Sequence, residues 1–183
     1  MKIMSKVLLL FIVAVFFFFS CKKNNSSNNE SLTTQDRNFI TQASLSNNAE
    51  IQAGQYADST ADSTTDSLAT SIKAFAAKMV ADHRNAQNDL KTLGNSLNVT
   101  VTDSVDSMHA SQLDSLKMLN GRAFDSAYII SQIADHQAAI NTFQQETSSG
   151  NKSSVINYAN KYLPVLQMHL QMADSLATAM GFK

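Results

Sequence analysis

Four stretches of this chain repeat apolar residues at alternating steps of three and four, the spacing that puts them on one face of an α-helix. The first seam runs Phe39, Ala43, Ser46, Glu50, Ala53, Ala57, from a start near Thr33 with Asp36 as its acidic first-turn partner. The second, over about 66–97, runs Ile72, Phe75 or Ala76, Met79, His83, Ala86, Leu90, Leu93. The third, over about 122–147, runs Phe124, Tyr128, Ile129, Ile133, His136, Ile140, Phe143. The fourth, over about 152–180, runs Val155, Tyr158, Tyr162, Val165, Leu166, His169, Met172 or Ala173, Leu176. Pro164 falls inside it and is expected to kink it or open its hydrogen bonding locally. Each seam is interrupted by one polar residue able to bind a proton or a metal: Glu50, His83, His136 and His169.

The segments between them set the topology. Asp58 to Ser67 is a Ser/Thr/Asp tract without a large apolar side chain, expected to be a loop. Val99 to Gly121 is long enough to run the length of a bundle. Val105, Met108, Gln112, Leu113, Leu116 and Leu119 give it one short helix, which Gly121 is expected to end. Ser148-Ser149-Gly150-Asn151 is a tight break. An all-α fold follows: a ferritin-like four-helix bundle with one long crossover carrying an extra short helix, occupying residues 33–181. The first and last helices then rise while the other two descend. At 1.5 Å per residue, Glu50, His83, His136 and His169 all sit roughly 20 to 27 Å above the lower end. The segment Ala-Asp-His-x-x-Ala occurs twice, at 81–86 and 134–139, as if two related hairpins faced each other.

The N-terminus reads as an export signal. Lys2 and Lys6 precede an unbroken apolar run, Val7 to Phe19, shorter than the about 20 residues of a spanning helix. Phe18-Phe19-Ser20-Cys21 resembles a bacterial lipobox, although Phe18 stands where Leu is usual. Residues 1–20 are then a lipoprotein signal peptide, Cys21 the lipidated residue, and 21–32 a flexible Asn/Ser-rich tether. The implied partner is a membrane, reached through the lipid, and the implied address is the cell envelope, on the outer membrane facing the periplasm. Cys21 is the only cysteine, so the folded part holds together through its core and not through disulfides. A net charge of −1 without a basic block gives nucleic-acid binding no support.

The chain resembles the domain-of-unknown-function-4142 family of exported bacterial proteins, which are related to the ferritin-like fold. The residues that carry the resemblance are Asp36-x-x-Phe39, Glu50, Phe75-Ala76-x-x-Met79-Val80-x-Asp82-His83, Leu116-x-x-Leu119-x-Gly121-x-x-Phe124-Asp125, Asp135-His136 and Pro164-x-x-x-x-His169. They span about residues 33–180, and the tract between the first two helices is longer here than the family pattern. The resemblance implies a fold but no activity, cofactor or partner.

Two readings of the polar seam stand beside each other. In one it is a buried hydrogen-bonding network that fixes helix register, and the protein is a non-catalytic structural or interaction module. In the other, Glu50, His83, His136 and His169 hold one transition-metal ion. Asp82 and Asp135, rotated about 100° from the neighbouring histidines, would then flank the seam and orient a histidine of an adjacent helix. Di-iron chemistry is excluded, because it needs Glu-x-x-His and Val80, Ile133 and Leu166 stand three residues before the histidines. No nucleophile–base pair or phosphate-binding Gly loop is visible, which points away from an enzyme. His109 falls in the crossover and is expected in solvent; the methionines are core and boundary filler. Asp-Ser pairs recur eight times, resembling acceptors of O-linked glycans on exported proteins. Ser59, Ser63 and Ser67, in the tract expected to be exposed, are the candidates.

Overall fold

A computed structural model describes residues 30–60 and 67–182. The signal peptide, Cys21, most of the tether and Ser63 lie outside the described residues. The helices are α1 (Thr34–Thr60), α2 (Ser67–Leu97), α3 (Ser107–Lys117), α4 (Gly121–Ser149) and α5 (Ser153–Ala179). None is long and apolar enough to cross a membrane.

α1 starts as its sequence dictates. Thr33 Oγ1 accepts from the Asp36 amide at 3.2 Å, and the Asp36 carboxylate accepts the Thr33 amide at 2.6 Å, a reciprocal capping box. The other oxygen of Asp36 accepts the amides of Asn151 and Lys152 at 3.0 and 3.1 Å. One buried carboxylate therefore ties the foot of α1 to the turn between α4 and α5, and those donors outweigh burial and hold its pKa far below the usual range. This tie fixes the directions: α1 and α5 rise, and α2 and α4 descend. α1 packs on α2, α2 on α5, α5 on α4 and α4 on α1, so every neighbouring pair is antiparallel. The crossover from α2 climbs back to the top of α4, and α3 packs on α1 and α4.

Three local expectations are corrected. α1 continues to Thr60 and α2 begins at Ser67, so both ends of the Asp58–Ser67 tract are helical, with Ser59 and Ser67 exposed there. Gly121 does not end α3, which stops at Lys117 with Met118 as its cap; Gly121, at φ +50°, opens α4. His109 is not solvated: its imidazole sits on Asp106, the N-cap of α3, at 2.8 Å, with its side chain 17% exposed. α5 runs unbroken through Pro164, which is exposed and, having no amide hydrogen, leaves the Asn160 carbonyl without its helical donor, the local opening expected of it.

The core is divided. An upper cluster gathers Ile72, Phe75, Met79, Phe124, Tyr128 and Ala173 with their neighbours. A lower one gathers Phe39, Ile40, Leu90, Phe143, Tyr158 and Leu166. Between them, at mid-height, lies a belt of buried polar side chains: Asn47, Glu50, His83, Gln87, Gln132, His136 and His169.

Candidate metal centre

His83 from α2, His136 from α4 and His169 from α5 meet in this belt. They are 3%, 1% and 0% exposed, so their nitrogens must find partners inside the protein. Their ring centroids are 5.4 to 5.7 Å apart. One ring nitrogen from each lies within 4.8 Å of the other two.

Protonation of each ring follows from its outer partner. His136 Nδ1 is 2.8 Å from the Gln132 carbonyl, which can only accept, so Nδ1 carries the hydrogen. His169 Nε2 is 2.8 Å from the Asp82 carboxylate, which Lys78 also contacts at 2.9 Å. Burial opposes ionisation of Asp82, but the hydrogen bonds from His169 and Lys78 outweigh it and keep its pKa low. Nε2 of His169 is therefore the donor.

His83 is fixed through a longer chain that starts at another backbone carbonyl. Thr102 O accepts from the Gln87 amide nitrogen at 2.7 Å, which turns Gln87 Oε1 toward Asn47. Oε1 accepts from Asn47 Nδ2 at 3.4 Å, and the Tyr158 hydroxyl accepts from the same nitrogen at 3.2 Å. Asn47 Oδ1 is left facing His83 Nδ1 at 3.0 Å, so that ring nitrogen too must donate. Two amides that could each be turned either way are thus oriented by one carbonyl. Gly94 makes this carbonyl available: a Cβ there would lie 2.5 Å from Val101 Cγ2 and 2.7 Å from Val99 O, where the crossover folds back over α2.

With each outer nitrogen committed as a donor, the remaining one carries a lone pair. These are His83 Nε2, His136 Nε2 and His169 Nδ1, and none has a hydrogen-bond partner among the described residues. Burial holds all three imidazoles neutral at pH 7. It pushes His83 well below the ordinary histidine value, helped by the other two rings. It takes His136 to about 4, and it lowers His169 against the opposing pull of Asp82. Three acceptors converging without a donor cost about 1–3 kcal/mol each. A water at the centre has two hydrogens and cannot serve three lone pairs. A cation can.

Glu50 does not join this set. Its carboxyl lies behind His136, Oε1 3.8 Å from Nδ1, because the Gln132 amide holds the other oxygen at 2.8 Å. Burial, reinforced by the charge of Asp135, raises its pKa to about 8. Asp135 does not touch the triad: it accepts from Gln112 of α3 at 2.7 Å, and burial raises its pKa. Asp82 is the flanking carboxylate that reaches a histidine of the neighbouring helix. The sequence reading missed Asn47, Gln87 and Gln132, which orient the rings. A seam of period 3.5 placed Ser46 and Ile133 inward, whereas the buried positions are Asn47 and Gln132. Their signal was an Asn or Gln one turn from a seam histidine or facing one.

The nitrogen set fits a borderline transition ion. Calcium and magnesium require oxygens, whereas zinc and copper accept imidazole. Tetrahedral Zn–N bonds of 2.0–2.1 Å need nitrogens about 3.3 Å apart, so the three rings would draw in by roughly 1 Å. Each already has the acceptor behind it that metal-bound histidines use.

No curated protein matches the chain. A crystal structure of a DUF305 fragment from Deinococcus radiodurans is similar, with a TM-score of 0.65 over 82% of this chain and 97% of that one. At 11% identity that likeness shows the fold alone. The profile described as Domain of unknown function (DUF4142) matches residues 21–176. The chain belongs to that family.

Proposed function

We propose that this protein binds one transition-metal ion, zinc or copper, through His83 Nε2, His136 Nε2 and His169 Nδ1. One observation carries the reading: three histidines whose rings each bring one nitrogen within 4.8 Å of the other two each hold a buried nitrogen with no partner among the described residues. Each of those nitrogens is left as an acceptor by an independent acceptor behind the ring. A structural hydrogen-bond network would satisfy its members; this one satisfies only their outer ends. A cavity of about 10 Å³, enough for one water, lies against His83 and His169. That suits ion holding better than turnover of an organic substrate, so the protein is read as a binding protein.

The expected address belongs to the same proposal. Cys21 is lipidated and the Asn/Ser-rich segment tethers the bundle to the envelope, so Cys21→Ala releases the protein from membranes. A second reading, a helix-register lock, is favoured by one fact: the bonds His83–Asn47, His169–Asp82 and Gln132–Glu50 each join two helices.

Protein prepared without chelator and titrated with zinc or copper(I) is expected to hold one equivalent. His83→Ala, His136→Ala and His169→Ala each abolish it, and His109→Ala leaves it intact. Substoichiometric metal together with a melting temperature indifferent to either ion would end the metal reading and leave the register lock.

A further inference from the structure

The triad is enclosed, so an ion needs a way in. On the outside of the bundle between α2 and α5 lies an open cleft of about 410 Å³ whose walls include Asp82, Asn85, Asp89, Tyr162 and Val165. The small cavity against His83 and His169 lies directly inside it, and both are lined by Asp82, Tyr162 and Val165. Asp82 joins the two spaces chemically: its side chain is 24% exposed, yet it holds His169 Nε2 at 2.8 Å. The clefts on the α1–α4 side are smaller, about 330 and 320 Å³. The one between α1, α3 and α4 has Phe143 and Ala139 on its wall and borders none of the three histidines.

Tyr162 closes the neck. The residue is 7% exposed and its ring packs on Tyr158 at 4.8 Å. Its hydroxyl donates a short hydrogen bond to Asp89. Asp89 also takes Lys161 Nζ at 2.6 Å, and that ammonium lies 5.2 Å from the Tyr162 ring centre. Two residues further on, Pro164 supplies no amide to the Asn160 carbonyl, so the helical turn carrying Tyr162 lacks one of its hydrogen bonds. The door is thus held by a side-chain bond on a turn with one main-chain bond fewer.

We propose that the α2–α5 cleft is the path by which a transition-metal ion reaches and leaves the triad, with Asp82 as the carboxylate that receives it, Tyr162 as the door and Asp89 as the latch. The proposal rests on the triad being the metal site. The mouth offers the carboxylates of Asp82 and Asp89 and the amides of Asn85 and Asn88. Each carboxylate is paired to a lysine (Lys78 at 2.9 Å, Lys161 at 2.6 Å) that an arriving divalent ion displaces, so the ion is held weakly enough to pass on.

Zinc uptake, and zinc release into excess chelator, followed by stopped flow on the full chain tests this. Tyr162→Phe keeps the ring and removes the latch. Uptake and release should both speed up about tenfold or more, leaving affinity within about twofold, because a charge-assisted hydrogen bond no longer opposes opening. Val165→Phe narrows the neck and should slow both. Equal rates in wild type and both variants, or a changed affinity at an unchanged release rate, overturn the path. If wild type takes up no zinc, the metal reading fails, and the cleft is judged by diethyl pyrocarbonate labelling of His83 and His169 mapped by mass spectrometry. Faster labelling in Tyr162→Phe at an unchanged melting temperature supports the door. Equal labelling refutes it.

Discussion

Replacing Glu50 by Gln should stabilise this protein at neutral pH, against the general tendency of core substitutions. The Gln side chain can still accept the Gln132 amide that now meets Glu50 at 2.8 Å, and it never ionises. Glu50 has a folded pKa of about 8 against an ordinary 4.5, so the folded state keeps a proton that the unfolded chain gives up. The sign follows from that difference. Its contribution is fully present below pH 4.5 and is lost as pH rises to about 8, on the order of 5 kcal/mol in all and about 3 kcal/mol by pH 7. The three histidines act in the opposite direction. Their folded values lie below 6.5, so their contribution is present above pH 6.5 and lost as pH falls, through about 4 for His136. The histidines are common to wild type and Glu50→Gln, so the difference between the two between pH 6.5 and 8 isolates the carboxyl. Urea denaturation with chelator present should show wild type losing about 2 kcal/mol relative to the variant over that interval. Parallel curves would refute the assignment of a protonated carboxyl behind His136.

Gln87→Leu removes the link between Thr102 O and Asn47; it should cost about 1–3 kcal/mol and weaken zinc binding about 10- to 100-fold, read by denaturation and competitive titration. Gly94→Ala presses a methyl on Val99 O and Val101, and should cost about 1–3 kcal/mol while shifting the Thr102 carbonyl, with a measurable loss of zinc affinity although it is far from the ligands. Asp36→Ala strands the amides of Asn151 and Lys152; a loss of about 3 kcal/mol is expected, with faster amide exchange confined to the foot of α1 and the α4–α5 turn.

The helices were legible because their apolar spacing is strong over many turns, and the antiparallel bundle followed from one long connection among short ones. The convergence of His83, His136 and His169 was legible for the same reason: a seam position faces the common interior whatever residue occupies it. The placement of Glu50 was not. Whether a carboxyl points at the centre or behind a neighbouring ring depends on one amide, Gln132, and on side-chain torsions that periodicity does not encode. Gly121 is ambiguous in the sequence because glycine serves at either end of a helix, and the backbone sign that decides between them appears only in three dimensions. His109 lies in a connection, where solvent is the default expectation, but Asp-Ser-x-His is itself an N-cap arrangement that draws its ring onto Asp106.

The mid-height belt has a consequence for how the domain holds together. Energetically the bundle is two short bundles threaded on the same four rods, each with its own oily interior, joined across a layer in which three ring nitrogens have no hydrogen-bond partner among the described residues. Without an ion, loosening one storey strips little apolar contact from the other. An ion gripped from α2, α4 and α5 at once, as proposed, would act as a rivet through that layer, making the two storeys open or stay shut as one.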